Sequence, residues 1–388
     1  MAGFCIVCEY NPLHNGHVYL IERARELGAD TVTCIMSGNA TQRGELSITD
    51  KYLRAEAAIK CGADLVLELP YPWCASSADY FATAALSLVS PFGEKLIFGS
   101  ECGDVNALVK AAEFCESKEF KDEFEAMSEF GLGAAEAYLK CLEDKGFREF
   151  SSNDLLGISY VRAIKRMNLN ISPIAIKRLG AAFNCKDTVD GDIQSATALR
   201  KYIEDGKTED IREYVPFTML KILEEQIKKG NVTDIKEIDA AVVSFFRLAS
   251  AESLGDIAEA SGGLANRICS MSHVSNTYAE LFERSRTKRY TDAKIRRAML
   301  FCMTGVKRDS ISVLPEYTVL LGANERGREL LSENRRNPKI NVITKPADAP
   351  QNTEQYRLSQ RLEALYGLAR KNKLITDSFM KKMAYIEK

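Results

Sequence analysis

The sequence predicts an α/β protein: a doubly wound parallel sheet, followed by a mainly helical C-terminal region with a small strand–helix–strand unit. Three observations carry that expectation. Short apolar runs alternate with amphipathic stretches from the start to about residue 210. Such alternation implies parallel strands covered on both faces by helices. Near Tyr214 the alternation stops and helical periodicity takes over. At 388 residues, 46% hydrophobic and 27% charged, the chain is long enough for two or three domains with a full core.

Taken in order, strands are expected at residues 3–8, 31–36, 64–69, 95–99 and 171–177. Each is a short apolar run of the kind a strand buried on both faces requires. Helices are expected at 16–27, 49–61, 78–88, 105–116 and 155–167. The first of these sets Leu20, Ile21, Ala24 and Leu27 on one face. Residues 101–150 hold thirteen acidic against six basic side chains and read as an inserted helical pair with a solvated acidic face. Further on, helices are expected at 217–229, 234–249, 266–283 and 292–302. A strand at 317–323, a helix near 327–332 and a strand at 339–344 form the small unit, and a helix at 354–369 closes the chain. The division expected is 1–210 and 211–388.

The segment richest in chemistry is His14-Asn15-Gly16-His17. Only three histidines occur in the chain, and two stand here, three apart. An apolar strand precedes them and an amphipathic helix follows. Strand, glycine-bearing turn and helix is how an α/β protein presents a phosphate, because the helix N-terminus offers free N–H groups and the positive end of its dipole. Imidazoles at that turn are placed to stabilise charge that develops on a triphosphate. Plain helix capping is the competing reading. A metal site is disfavoured, since the remaining histidine is the distant His273 and no carboxylate cluster adjoins the pair.

Other segments add to this. Ser195-Ala-Thr-Ala-Leu-Arg200 opens a helix after Gly191. Ser195 suits an N-cap, and Thr197 and Arg200 project from the first turns toward a β- or γ-phosphate. Residues 37–45 form a polar loop after the second strand, with Gln42 and Arg43 placed for substrate selection. Gly99 ends the fourth strand and would admit a purine. Asn153 opens the helix before the fifth strand, and Lys177-Arg178 closes that strand. Between 284 and 297 stand seven basic residues and one acid: Arg284, Arg286, Lys288, Arg289, Lys294, Arg296 and Arg297, with Asp292 and with Tyr290 between them. In a chain of net charge −2 this is a local cationic surface, suited to a phosphodiester backbone with the ring free to stack on a base. A solvated helix face is the alternative.

The eleven cysteines are odd in number and scattered through apolar patterns, so they read as small core residues of a reducing compartment. Cys5 and Cys8 fall on opposite faces of one strand and make neither a zinc nor a redox pair. The start of the chain is not basic and Glu9 cuts its first apolar run short, so no secretory signal is expected. No apolar run approaches a membrane span. A cytoplasmic location, with no membrane and no DNA partner, is the expectation.

With these residues in view, His14-Asn-Gly-His17 and Ser195-Ala-Thr-Ala-Leu-Arg200 resemble the HxGH and ISSTxxR pair of the Rossmann-like nucleotidylyltransferase superfamily. More narrowly, the chain is similar to the bacterial tRNA(Met) cytidine acetate ligases. The similarity lies in Glu9-Tyr-Asn-Pro-Leu-His-Asn-Gly-His17, Met36-Ser-Gly-Asn39, Gln42-Arg-Gly-Glu45, Glu68-Leu-Pro-Tyr71, Phe98-Gly-Ser-Glu101, Lys177-Arg-Leu-Gly180 and Thr287-Lys-Arg-Tyr-Thr-Asp-Ala-Lys-Ile-Arg-Arg297. The chain departs from the pattern in places. Leu13 stands where the family usually has Phe, and Ser152-Asn153-Asp154 where it has Pro-Asn-Asn. Ala196 replaces a serine of the wider superfamily, which removes one hydroxyl donor.

The resemblance implies that ATP and acetate give acetyl-adenylate and pyrophosphate, and that the acetyl group passes to the 4-amino group of the wobble cytidine of elongator tRNA(Met). It implies catalytic roles for His14, His17 and Arg200. It implies ATP binding by Val7, Cys8, Glu9, Tyr10, Asn11, Pro12, Leu13, His14, Asn15, Gly16, His17, Val18, Tyr19 and Leu20, with Gly99, Asn153, Arg178, Leu179, Ser195 and Thr197. The basic residues from Arg284 to Arg297 would take the anticodon arm. Magnesium is expected with ATP on chemical grounds, without an identified protein ligand. Two alternatives stay open: a small-molecule adenylyltransferase of the same superfamily, and a non-catalytic nucleotide- and RNA-binding protein.

Overall fold

The first apolar run becomes β1 (Gly3–Cys8) and takes the centre of the sheet. The computed structural model describes residues 2–129, 132–147, 150–178, 195–375 and 380–387. After β1 come α1 (Asn15–Glu26), β2 (Thr31–Ser37), α2 (Lys51–Lys60), β3 (Leu65–Leu69), α3 (Ala78–Val89) and β4 (Lys95–Ser100). Then follow α4 (Val105–Glu116), α5 (Lys118–Glu129), α6 (Ala134–Asp144), α7 (Ser152–Arg166) and β5 (Ser172–Lys177). These five strands run parallel, as the alternation requires. Successive residues of β1 feed opposite faces: Phe4, Ile6 and Cys8 join one core and Cys5 the other. Each large aliphatic side chain buried there contributes about 1.5–3 kcal/mol.

The insertion is the expected helical pair, α5 and α6, but it is more than a solvated face. Phe120, Phe124, Tyr138, Phe147 and Phe150 turn inward from it and pack ring against ring, while Asp122, Glu125, Glu136, Glu143 and Asp144 are exposed. The count of charges does not reveal the aromatic stripe on the other side of the same helices.

The second half contains α8 (Ala196–Glu204), α9 (Phe217–Lys228), α10 (Asp239–Leu248), α11 (Leu264–Ser272), α12 (Tyr278–Ser285), α13 (Asp292–Thr304) and α14 (Arg308–Ser312). It ends with β6 (Thr318–Ala323), α15 (Glu325–Arg336), β7 (Val342–Ile343), α16 (Glu354–Leu368) and β8 (Tyr385–Ile386). The helix expected at 266–283 is broken into α11 and α12. The chain turns at Ser275 and Asn276, where Arg247 donates to the Ser272 and Ser275 carbonyls and to the Asn276 side chain. The Thr277 hydroxyl then accepts from Glu280 N–H and starts a new helix. The 234–249 helix likewise begins as a 3-10 turn, Ile235–Ile238.

The strand–helix–strand unit does not stand apart. β6 pairs antiparallel with β3, and β7 and β8 pair in parallel with β6, so one eight-stranded sheet runs β5-β4-β1-β2-β3-β6-β7 with β8 on β6. The expected small unit is thus the far edge of the first sheet, which crosses the division expected at 210. A hydrogen bond from Thr318 Oγ1 to the Glu68 carbonyl, at 2.6 Å, helps fix that junction.

Candidate active site

In this strand order the chain leaves β1 for β2 on one side and later returns to β4 on the other. Loops from the carboxyl ends of β1 and β4 therefore splay apart, and a ligand crevice forms between them. A cavity of about 710 Å3 opens there. Its wall includes Glu9 and Tyr10 after β1, Gly99 on β4, Lys177 at the end of β5 with Arg178 after it, and Asn153 on α7.

The turn between β1 and α1 is held from below. Arg54, fully buried on α2, donates to the main-chain carbonyls of Glu9, Ser37, Gly38 and Thr49. Asn11 Oδ1 accepts from Ile48 N–H at 2.7 Å. On this support His14 caps α1 and its N–H donates to His17 Nδ1 at 3.2 Å. That bond leaves the proton of a neutral His17 on Nε2, which makes Nε2 a donor. The two imidazoles stack with centroids 3.6 Å apart, and the Tyr10 ring meets His17 edge-on at 4.9 Å. Burial, helped by the Arg178 charge, lowers the His14 pKa to about 3. Burial first, then His14 and Arg178, hold that of His17 well below its ordinary value. The pair is neutral at pH 7 and offers N–H groups rather than charge.

The second expected clamp meets the first. Thr197, in the first turn of α8, lines the same cavity, and its hydroxyl accepts from Arg43 at 3.0 Å. Gln42 and Arg43 line it too. Ser195 is the N-cap, accepting from Ala198 N–H at 3.2 Å, and lies outside the cavity wall. Arg200 is also outside it. Its guanidinium is bound to the Asn11 carbonyl at 2.8 Å, to Glu45 at 2.7 Å and to the Thr197 hydroxyl at 3.2 Å. It braces the two clamps against each other.

Within residues 7–20 the wall takes Val7, Cys8, Glu9, Tyr10, Asn11, His14, Gly16, His17, Tyr19 and Leu20. Pro12, Leu13, Asn15 and Val18 are not part of it. Leu13 is fully buried in the core, which is why an aliphatic side chain serves there. Asn15 turns to the Glu213 carbonyl at 2.8 Å and pins the C-terminal half to α1. Leu179 and Gly191 lie outside the described residues. Asp154 accepts from Ser100 Oγ, Cys102 N–H and Ser151, so it is a buried brace beside Asn153. Sequence reasoning missed Glu101, which holds Asn153 and, at 3.7 Å, Arg178 on the cavity rim. A carboxylate at a strand end opposite an expected cation was the available signal. It also missed the apolar wall, Phe81, Phe98, Leu156, Tyr160 and Ile176.

The basic segment divides into two parts. Arg284, Arg286, Lys288 and Arg289 are exposed, although Arg286 is paired with Glu283 and Asp292. Arg297 is buried: it pairs with Glu259 at 3.1 Å and donates to the Gln42 carbonyl. Lys294 faces the same Glu259 at 3.7 Å. Arg296 lies over the Phe282 ring, 4.3 Å from its centroid, and near Glu45 at 3.7 Å. Tyr290 is half-buried and its hydroxyl is bound to the Gly262 carbonyl. The start of α13, from Thr291 to Ala293, with Arg296 and Arg297, forms part of the cavity wall. Gly44, at φ +74°, makes this approach possible, because a Cβ there would fall 2.4 Å from Arg297 N.

Among the described residues no group of three or more His, Cys, Asp or Glu side chains is arranged to hold a metal. The ten cysteines described are all free. No described helix is long and apolar enough to cross a membrane.

A Rossmann-like sheet with paired imidazoles at its switch point defines a nucleotidyl transferase, and the sequence model of the HIGH nucleotidyl transferases matches residues 1–379. Within that class, the chain belongs to the tRNA(Met) cytidine acetate ligase family. It is 34% identical over 388 residues to the tRNA(Met) cytidine acetate ligase of Caldanaerobacter subterraneus, covering 96% of each chain. It is 34% identical over 365 residues to that of Acetivibrio thermocellus, covering 88% of each. The crystal structure of Thermotoga maritima TmcAL bound with alpha-thio ATP superposes with a TM-score of 0.89 at 28% identity, covering 100% of both chains.

Proposed function

We propose that this chain is a tRNA(Met) cytidine acetate ligase. It activates acetate with ATP, giving acetyl-adenylate and pyrophosphate. It then passes the acetyl group to the 4-amino group of the wobble cytidine of elongator tRNA(Met), forming N4-acetylcytidine. The observation that carries the reading is that the imidazole pair and the start of the basic helix face one cavity.

The chemistry asks little of the protein beyond position and charge. Acetate brings its own nucleophilic oxygen, so no covalent side chain and no base is needed for the first step. The N–H groups of His14 and His17 meet the α-phosphate as its charge grows. Thr197, with Arg43 and the Arg200 brace, serves the leaving pyrophosphate. Gly99, Asn153 and Arg178 border the nucleotide. Magnesium arrives as part of the ATP substrate. Residues 1–210 would hold ATP and residues 211–388 the tRNA, in the cytoplasm. Mass spectrometry of tRNA nucleosides after incubation with ATP and labelled acetate tests this. Labelled N4-acetylcytidine at the wobble position is expected, and its absence from a folded, ATP-binding enzyme rejects the reading.

A further inference from the structure

Three carboxylates line the cavity among the described residues: Glu9, Glu45 and Asp292. Glu45 is held by Arg200 and Arg296, and Asp292 by Arg286. Glu9 makes no ion pair among the described residues. One of its oxygens accepts the Gln42 N–H at 2.7 Å. The Gln42 carbonyl in turn accepts from Arg297 at 3.3 Å. One residue therefore separates Glu9 from the basic helix, while the stacked imidazoles stand five and eight residues further along the chain. Glu9 thus links the imidazole turn to the basic helix along the cavity wall.

We propose that Glu9 is the general base of the acetyl-transfer step. This rests on the ligase reading above. The cytidine N4 attacks the acetyl carbonyl carbon and forms the new C–N bond. The bond from that carbon to the AMP phosphate oxygen breaks, and its electron pair leaves with AMP. The proton shed by N4 passes to the Glu9 carboxylate and then to solvent. AMP is a good leaving group and needs no acid.

The alternatives in the cavity are poor. His17 Nδ1 is already occupied by the His14 N–H. Both rings hold protons weakly, because burial disfavours their charged forms. Burial raises the Glu9 pKa, against the Gln42 hydrogen bond and the charges of Arg43 and Arg200, and Glu45 adds to the rise. A carboxylate so placed is a stronger base than one in water.

The test splits the reaction, using the full chain, ATP, labelled acetate and unmodified elongator tRNA(Met). Acetate-dependent ATP–pyrophosphate exchange reports the first step. Single-turnover formation of N4-acetylcytidine at saturating tRNA reports the second. Wild-type enzyme must do both, and failure there rejects the ligase reading rather than this one. In Glu9→Gln, whose side-chain oxygen still accepts from Gln42, transfer should fall about 10²–10⁴-fold further than exchange. Glu9→Asp should recover part of the transfer rate. Transfer that keeps pace with exchange in Glu9→Gln, whether both hold or both fall, overturns the assignment.

Discussion

His14 and His17 stack at 3.6 Å, with the first residue's N–H on the second's Nδ1. The hydrogen bond fixes Nε2 as the nitrogen with which neutral His17 donates. Removing that donor should cost transition-state stabilisation and little else. In His17→Ala, acetate-dependent pyrophosphate exchange should fall about 10²–10³-fold, the loss typical of one preorganised donor to a developing oxyanion. Affinity for tRNA should stay within about twofold. Exchange kinetics and filter binding decide it, and an unchanged exchange rate removes His17 from the chemistry.

The same burial predicts an acid weakness. His14 is neutral in the folded protein down to about pH 3 but takes up a proton near its ordinary value when unfolded. Between those two limits the unfolded chain binds more protons, so stability rises with pH and falls on acidification. The contribution is fully present above about pH 6.5 and is lost by about 1.4 kcal/mol per pH unit below it. Urea titrations from pH 7.5 to 5 should show this slope as the His14 share of the loss, with His17 adding its own in the same direction. His14→Asn, which cannot titrate there, should flatten it by about one proton.

The basic segment should separate by burial. Neutralising exposed Lys288 and Arg289 together should weaken tRNA binding and lower the salt slope by about 0.7–0.9 for each phosphate they would otherwise neutralise. Arg297→Ala should behave differently. It removes the closer of the two cations on buried Glu259, leaving Lys294 at 3.7 Å, and frees the Gln42 carbonyl; breaking a buried pair costs up to about 3–5 kcal/mol, and Lys294 keeps the loss at the lower end. Its signature is a lower melting temperature at any salt. Equal salt slopes for wild type and the double variant would exclude the exposed pair from the RNA interface.

These contrasts mark where the sequence was readable. The strand before His14 and the helix after it declare themselves through local periodicity, so the turn that lines the cavity was legible from a dozen residues. The meeting of Thr197 with the imidazoles was legible only because the alternation fixes which strand ends lie together. Charge density singled out residues 284–297 but not which of their cations face inward. The partner of Arg297 lies 38 residues upstream in one case and 255 in the other. The β6 strand was visible as a strand, while its antiparallel place beside β3 depends on pairing across the whole chain. Glu101 was overlooked because its only signal, a strand-end carboxylate opposite an expected cation, depends on which strand ends lie together.

Non-local pairing also governs the last prediction. Lys51, at the start of α2, is buried with its Nζ 2.7 Å from Glu68 on β3 and 2.9 Å from Glu363 on α16. Asn39 completes the cluster, donating to Glu363 at 2.8 Å and accepting the Lys51 N–H. Burial alone would favour neutral Lys51, but Glu363 and Glu68 hold its pKa well above the ordinary value. Lys51→Met leaves two buried carboxylates without the ammonium that pairs them both and should cost about 3–5 kcal/mol. Combining Lys51→Met with Glu68→Leu and Glu363→Leu should recover most of that loss, since apolar packing substitutes for a buried ion cluster. Urea denaturation of the single and triple variants measures the difference. A triple variant no more stable than the single one would mean that the charges themselves, and not their balance, hold α16 to the sheet.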